Sequence, residues 1–256
     1  QEIGGKDVIA FNGDKAFVMA SAYKIAIATA VLERVDKGEL SLDQMVEITP
    51  EMMIVGQNAL AETFVHRGVQ LSVANLIEVM ITESDNTATD ILMGLAGGSA
   101  AVTDYLRSLG ISDFRVDRLT GEILGEFYGL PGLATPTVVA EAFRTRPELV
   151  TAQGDRNLDF EADPRDHATP LAMLQLLLAI DSGKAMSAKS REFLLAVMSR
   201  TRTGDSRIKG LLPKGTPVAH KTGTAGGIAN DVGYITLPDG RRFAIAVYTN
   251  SNETSV

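Results

Sequence analysis

The chain predicts an α+β fold, with helices laid against an antiparallel sheet. Three observations carry this. The middle of the chain is a succession of apolar and amphipathic helical segments. From Pro217 onward come three short strand-like runs, Pro217 to Thr224, Val232 to Leu237 and Phe243 to Thr249. Between the last two stands Pro238-Asp239-Gly240, a hairpin-turn signal. Helices in series followed by a strand meander give an α+β order, not the alternation of a parallel sheet. With 256 residues, 45% of them hydrophobic, the chain can bury a sizeable core as one domain.

The elements follow in order. Lys6 to Asn12 reads as a short strand ended by the turn Asn12-Gly13-Asp14. Ala22 to Val35 is a helix rich in Ala, Ile, Val and Leu, and Gly38 stops it. Leu40 to Phe64 is irregular, with scattered methionines that line a cleft or cover the core. Leu71 to Thr82 is an amphipathic helix with Ser72 as its cap. Further helices run from Thr87 to Leu95 and from Ser99 to Leu109, the second ended by Gly110. Gly121 to Asp166 is a long connection holding one helix, Thr137 to Arg144, and such a connection is usually functional or mobile. Thr169-Pro170 opens a strong helix, with Thr as cap and Pro in the first turn. Ser187 to Arg200 is another helix.

Composition narrows the function. A net charge of −8 argues against nucleic acid or an anionic membrane as the main partner. The absence of cysteine excludes thiol catalysis and disulfides. His66, His167 and His220 lack metal-ligand spacing, so no metal or organic cofactor is expected. No apolar run is long enough to span a bilayer. No signal peptide is visible, and the chain opens abruptly at Gln1, as it would after removal of a leader.

Ser21-Ala22-Tyr23-Lys24 is the stretch with chemical potential. A serine and a lysine three residues apart at a helix start share one face. The helix is apolar enough to be buried, which lowers the lysine's pKa and sets a base beside a nucleophile. The plain alternative is that Ser21 caps the helix and Lys24 snorkels to solvent. Two further signals decide between these. Ser84-Asp85-Asn86 lies in a polar turn before a helix, and Lys221-Thr222-Gly223 lies on a strand. Together the three segments form the trio of an acyl-transfer site.

With these motifs the chain resembles the class A serine β-lactamases, within the penicillin-recognising serine acyl-transferases. The resemblance runs from about Lys6 to Asn250 and includes Arg165-Asp166, Thr169-Pro170 and Leu211 to Thr224. It implies an antiparallel sheet flanked by helices beside an all-helical lobe, with the site between them. The sheet lobe would hold about 1–40 and 201–256, and the helical lobe about 41–200. It implies that Ser21 is the nucleophile, that Lys24 activates it, and that Ser84 passes a proton to the leaving nitrogen. Asn86 would hold the substrate's side-chain amide, cap the next helix, or both. Lys221 would supply positive potential and Thr222 a hydroxyl for the substrate carboxylate. Backbone N–H groups of Ser21 and Thr224 would form the oxyanion hole, and Gly223 would admit substrate to the backbone. Ala229 stands where many relatives carry a carboxylate-binding arginine, and Arg207 matches the place of a substitute. His220 should face away from Lys221 by strand alternation and serve structure. The resemblance also implies a monomer that acts on a small molecule, a β-lactam or a D-Ala-D-Ala-like peptide. Such proteins are periplasmic or secreted and confer antibiotic resistance.

Two departures stand out. The chain starts after the place of the relatives' N-terminal helix and first strand, and stops at Val256 before their C-terminal helix; a trimmed sequence is the expectation. The relatives' deacylating glutamate is also missing from its place. Counting from Asp117-Arg118 puts Thr120 there; counting back from Arg165-Asp166 puts Gln153 there, with Asn157 four residues later. The carboxylates left to substitute are Glu122, Glu126, Asp155 and Glu161. An Arg118–Asp166 pair would close the loop. The expected activity is therefore β-lactam opening through a Ser21 acyl-enzyme with impaired deacylation. A penicillin-binding sensor that stays acylated, or a D-alanyl-D-alanine peptidase or esterase, are the alternatives.

Overall fold

The computed structural model describes residues 1–56, 59–151 and 155–252. Its largest sheet is the predicted meander, β5 (Val218–Ala225), β6 (Ile228–Thr236) and β7 (Arg242–Val247), in the order β5-β6-β7. Lys221 pairs with Val232 and Thr222 with Asp231, which fixes which side chains share the site-facing side. Before the sheet come β1 (Phe17–Val18), a 3₁₀ turn (Ala20–Tyr23) and α1 (Lys24–Asp36). Next are β2 (Met45–Ile48), α2 (Ala59–Thr63), β3 (Val69–Ser72), α3 (Val73–Thr82), α4 (Asn86–Leu95) and α5 (Ser99–Ser108). The long connection holds α6 (Thr120–Phe127), α7 (Pro136–Thr145), α8 (Glu148–Thr151) and α9 (Leu158–Ala162). The short β4 (His167–Ala168), then α10 (Pro170–Asp181) and α11 (Ala188–Met198), lead back to the sheet.

The helix α1 runs through the middle of the core. Every residue from Lys24 to Leu32 is buried, and it packs against α3, α4, α5 and α11. Such a helix is held by tertiary burial on all sides more than by one apolar stripe. The helix α10 covers β7 and α11 lies on β5, so a single hydrophobic cluster joins sheet and helices. The caps follow local chemistry. Ser72 accepts from Asn75 N at 3.2 Å, and Thr169 from Ala172 N at 3.1 Å with Pro170 in the first turn.

One expected element is absent. Lys6 to Asn12 forms no strand; Ile9 is wholly exposed and Phe11 nearly so. The free edge of β7 is taken instead by Gln1 to Ile3, through Ile3 N to Arg242 O (2.8 Å) and Ala244 N to Gln1 O (2.9 Å). An apolar run without a neighbouring ladder has no partners for its backbone and stays irregular. The pairing of β1 with β4 and of β2 with β3 was not legible, because each joins residues far apart in sequence. Among the described residues no helix is long and apolar enough to cross a membrane.

Candidate active site

The nucleophile candidate sits on the 3₁₀ turn, not in α1 itself, which begins only at Lys24. Neither helix start is capped by a side chain, so Ser21 is no cap. Ala20, just before it, is held at φ +44° and Ser84 at φ +64°. Residues with side chains seldom adopt that left-handed region, and such strain gathers at functional sites. The turn is also pressed tightly against β5. A Cβ placed on Gly223 would lie 2.4 Å from Met19 O and 3.0 Å from Ala22 N. What the missing side chain makes room for is the nucleophile turn. Asn230 ties the same turn to β6 by donating to Val18 O (2.9 Å) and Met19 O (3.0 Å).

Lys24 is fully buried and does not snorkel. Its Nζ donates to Ser84 O at 2.6 Å and Asn86 Oδ1 at 2.8 Å, with longer contacts of 3.4 Å to Ser84 Oγ and Asp85 O. Burial lowers its pKa to about 7, against the opposing pull of Asp85 and Asp90. Lys221, equally buried, donates to Ser84 Oγ at 3.0 Å and to Thr222 O at 2.8 Å. Burial, and then the charge of Lys24, push its pKa well down. Two buried lysines thus converge on one serine hydroxyl. A hydroxyl has one proton and two lone pairs. With the lone pairs facing these two N–H donors, the proton of Ser84 is free to go to a third group.

Asn86 does not cap α4; Asp85 does, accepting from Ala88 N at 2.6 Å, while its other oxygen accepts from Leu60 N at 2.9 Å. Asn86 is the helix's first residue. Its Oδ1 faces Lys24 and its amide donates to Val55 O at 2.9 Å. Thr222 bonds Thr203 Oγ1 at 2.5 Å. Arg207 folds over the end of β5. It donates to Gly223 O (3.1 Å), Asn230 O (2.7 Å) and Thr224 Oγ1 (2.7 Å). The turn carrying Arg207 is held by Asp231, whose Oδ2 accepts from Ile208 N at 3.1 Å. Asp231 Oδ1 in turn meets His220 Nδ1 at 2.7 Å. His220 is fully buried, and this pair braces the arginine's turn. Asp231 lies just outside the strand predicted from Val232 and is brought into the sheet by β6, which starts at Ile228.

The loop beside the site is closed by the expected pair, Arg118 Nε to Asp166 Oδ2 at 2.6 Å, both residues buried. Glu126 joins the network, bonding Arg118 (2.5 Å) and Arg165 (2.6 Å), which hold its carboxyl below the usual range. Glu161 is engaged by Arg156 at 2.8 Å. Glu122 accepts from Leu119 N at 2.7 Å at the start of α6. Asp155 is exposed where its backbone meets Gly226 at the β5–β6 turn. Asn157 caps α9 and donates to Phe127 O at 2.9 Å. Gln153 lies outside the described residues. Thr120, the other candidate, is buried at the start of α6, with its hydroxyl 2.6 Å from Tyr23 Oη.

Comparison with known proteins places the chain. A family model described as the beta-lactamase enzyme family matches residues 1–255. The β-lactamase VEB-1 of Pseudomonas aeruginosa is 34% identical over 98% of this chain and 76% of its own length. A β-lactamase of Bacteroides uniformis is 31% identical over 97% and 76% respectively. The crystal structure of a β-lactamase from Chitinophaga pinensis superposes with a TM-score of 0.77 at 32% identity, covering 97% of this chain and 82% of that one. An ancestral class A β-lactamase superposes with a TM-score of 0.76 at 33% identity, covering 96% and 82%. Similarity over nearly the whole length in both sequence and fold leaves one assignment: the chain belongs to the β-lactamase enzyme family and is a serine hydrolase of the class A type.

Proposed function

We propose that the protein opens β-lactam rings through an acyl-enzyme on Ser21. The observation that carries this is the convergence of Lys24 and Lys221 on Ser84 Oγ. With a pKa near 7, Lys24 is partly neutral at neutral pH and can take the proton of Ser21 as its oxygen attacks the ring carbonyl. The C–N bond then breaks, Ser84 delivers its proton to the nitrogen, and Ser84 Oγ takes back the proton that Lys24 received. The N–H groups of Ser21 and Thr224 would hold the oxyanion. Arg207, Lys221 and Thr222 would receive the substrate carboxylate, and Asn86 the side-chain amide. The same reading makes the protein a monomer acting in the periplasm or after secretion.

Deacylation is slow in this reading. By count, Thr120 or Gln153 stands where a carboxylate would serve; Glu126 and Glu161 are paired with arginines, and Glu122 is bonded to backbone. A positioned base contributes about 10²–10⁴ to such a step, and a hydroxyl alone cannot accept the proton at pH 7. This favours, as second reading, a sensor that remains acylated. Stopped-flow kinetics with a chromogenic cephalosporin test both. A burst equal to the enzyme concentration followed by a slow steady state is expected, and S21A should show neither burst nor covalent adduct. A burst that survives S21A refutes the nucleophile, and burst-free turnover at hundreds per second refutes slow deacylation. An adduct lasting for hours favours the sensor.

A further inference from the structure

Asp90 is a carboxylate beside the site that no motif singles out. It lies one helical turn beyond Asn86 on α4, on the same face. Its Oδ1 accepts from Thr120 N at 2.6 Å and its Oδ2 from Gly121 N at 2.9 Å. These are the first two residues of α6, so the carboxylate sits on that helix's N-terminus. The Thr120 hydroxyl lies beside this carboxylate and favours its charged form, and it is 2.6 Å from Tyr23 Oη. Tyr23 is in the turn that carries Ser21. Contacts therefore run unbroken from Asp90 through Thr120 to the nucleophile turn. Burial, and then the charge of Asp90, push the Tyr23 phenol well up, so it stays a neutral donor. If Tyr23 donates to Thr120 Oγ1, the proton of Thr120 is left to turn toward the neighbouring Asp90, with one lone pair for a water.

We propose that Thr120 and Asp90 together supply the base that hydrolyses the acyl-enzyme, Asp90 acting through Thr120. The proposal rests on Ser21 being the acylated residue. The water oxygen bonds the acyl carbon, and the carbonyl π pair moves to its oxygen. The water's proton passes to Thr120 Oγ1 as that hydroxyl gives its own proton to Asp90. When the tetrahedral intermediate collapses, the bond from carbon to Ser21 Oγ breaks and that oxygen takes a proton from Lys24. Solvent reprotonates Lys24 and removes the proton from Asp90. The net change is one ester and one water to one acid and one free serine. Two linked transfers through a hydroxyl are slower than one to a carboxylate in direct contact, which accords with slow deacylation.

The test is the lifetime of the penicillin adduct by intact-protein mass spectrometry, with the acylation rate measured in parallel by stopped flow. T120V and D90N should each lengthen the lifetime about 10–100-fold while acylation changes less than about threefold. T120S, which restores the hydroxyl, should recover the lifetime lost in T120V, and T120E should shorten it below that of the wild-type protein. A role confined to holding Tyr23 in the Ser21 turn would slow acylation in T120V together with deacylation. An adduct whose lifetime T120V or D90N leaves unchanged overturns the relay alone. If the wild-type protein forms no adduct, the assignment of Ser21 falls and the relay with it.

Discussion

Lys24→Met removes the ammonium from the centre of the site and keeps the length of the side chain. The fall in the pKa of Lys24 from 10.5 to about 7 corresponds to ~5 kcal/mol of preference for the neutral form. Its first cause is burial, which the attraction of Asp85 and Asp90 only partly offsets. At pH 6 about one lysine in eleven is neutral, and at pH 8 about ten in eleven. If neutral Lys24 is the base, the limiting acylation rate of the wild-type protein should rise about tenfold between these pH values. Measuring at saturating substrate separates this from carboxylate binding by Arg207 and Lys221. K24M should acylate about 10²–10⁴ times more slowly and lose the rise. Stability carries a second signature. Between pH 7 and about 10 the unfolded lysine is charged while the folded one is neutral, so the unfolded state binds more protons. The contribution of Lys24 to stability therefore rises with pH, by up to ~1.4 kcal/mol per unit, and below pH 7 its full cost is present. Urea unfolding at pH 7.5 and 9 should show the wild-type protein gaining on K24M by that order. A flat acylation profile, or K24M acylating at the wild-type rate, refutes Lys24 as base.

Three other outcomes are expected. Arg207→Ala should weaken acylation efficiency by about 1.5–3 kcal/mol, and stability by about 1 kcal/mol through its lost bonds to Gly223 O and Asn230 O; unchanged kinetics would remove it from carboxylate binding. Gly223→Ala should push the nucleophile turn off β5, costing about 1–3 kcal/mol by overpacking and slowing acylation; a thermal melt and burst like those of the wild-type protein would contradict this. Asp166→Ala leaves the buried Arg118 without its buried partner and should cost about 3 kcal/mol in urea unfolding. A loss below about 0.5 kcal/mol would show that Glu126 and Asp163 suffice to hold that arginine.

Residues close together in sequence carried most of what was legible. The apolar period of α10, the Ser72 and Thr169 caps and the turn between β6 and β7 depend on neighbours a few residues away, so the sequence by itself determined them. The site trio was legible for a related reason: Ser21-x-x-Lys24, Ser84-x-Asn86 and Lys221-Thr222-Gly223 are short segments whose internal spacing is dictated by one turn or one strand. Only the tertiary structure decided the rest. The strand expected at Lys6 to Asn12 lost its place because Gln1 to Ile3 hold the edge of β7, an outcome that depends on ladder partners more than 200 residues away. Asp85 and not Asn86 caps α4: Asn86 is the helix's first residue, and Lys24, from another helix, takes its side-chain Oδ1. The two buried lysines meet on Ser84 across 137 and 60 residues of sequence. Asp90 is one more acidic residue in an apolar helix until α6 sets two backbone N–H groups against it. Burial and long-range hydrogen bonds, which set both pKa and proton direction, are properties of the packed chain and have no local spacing to betray them.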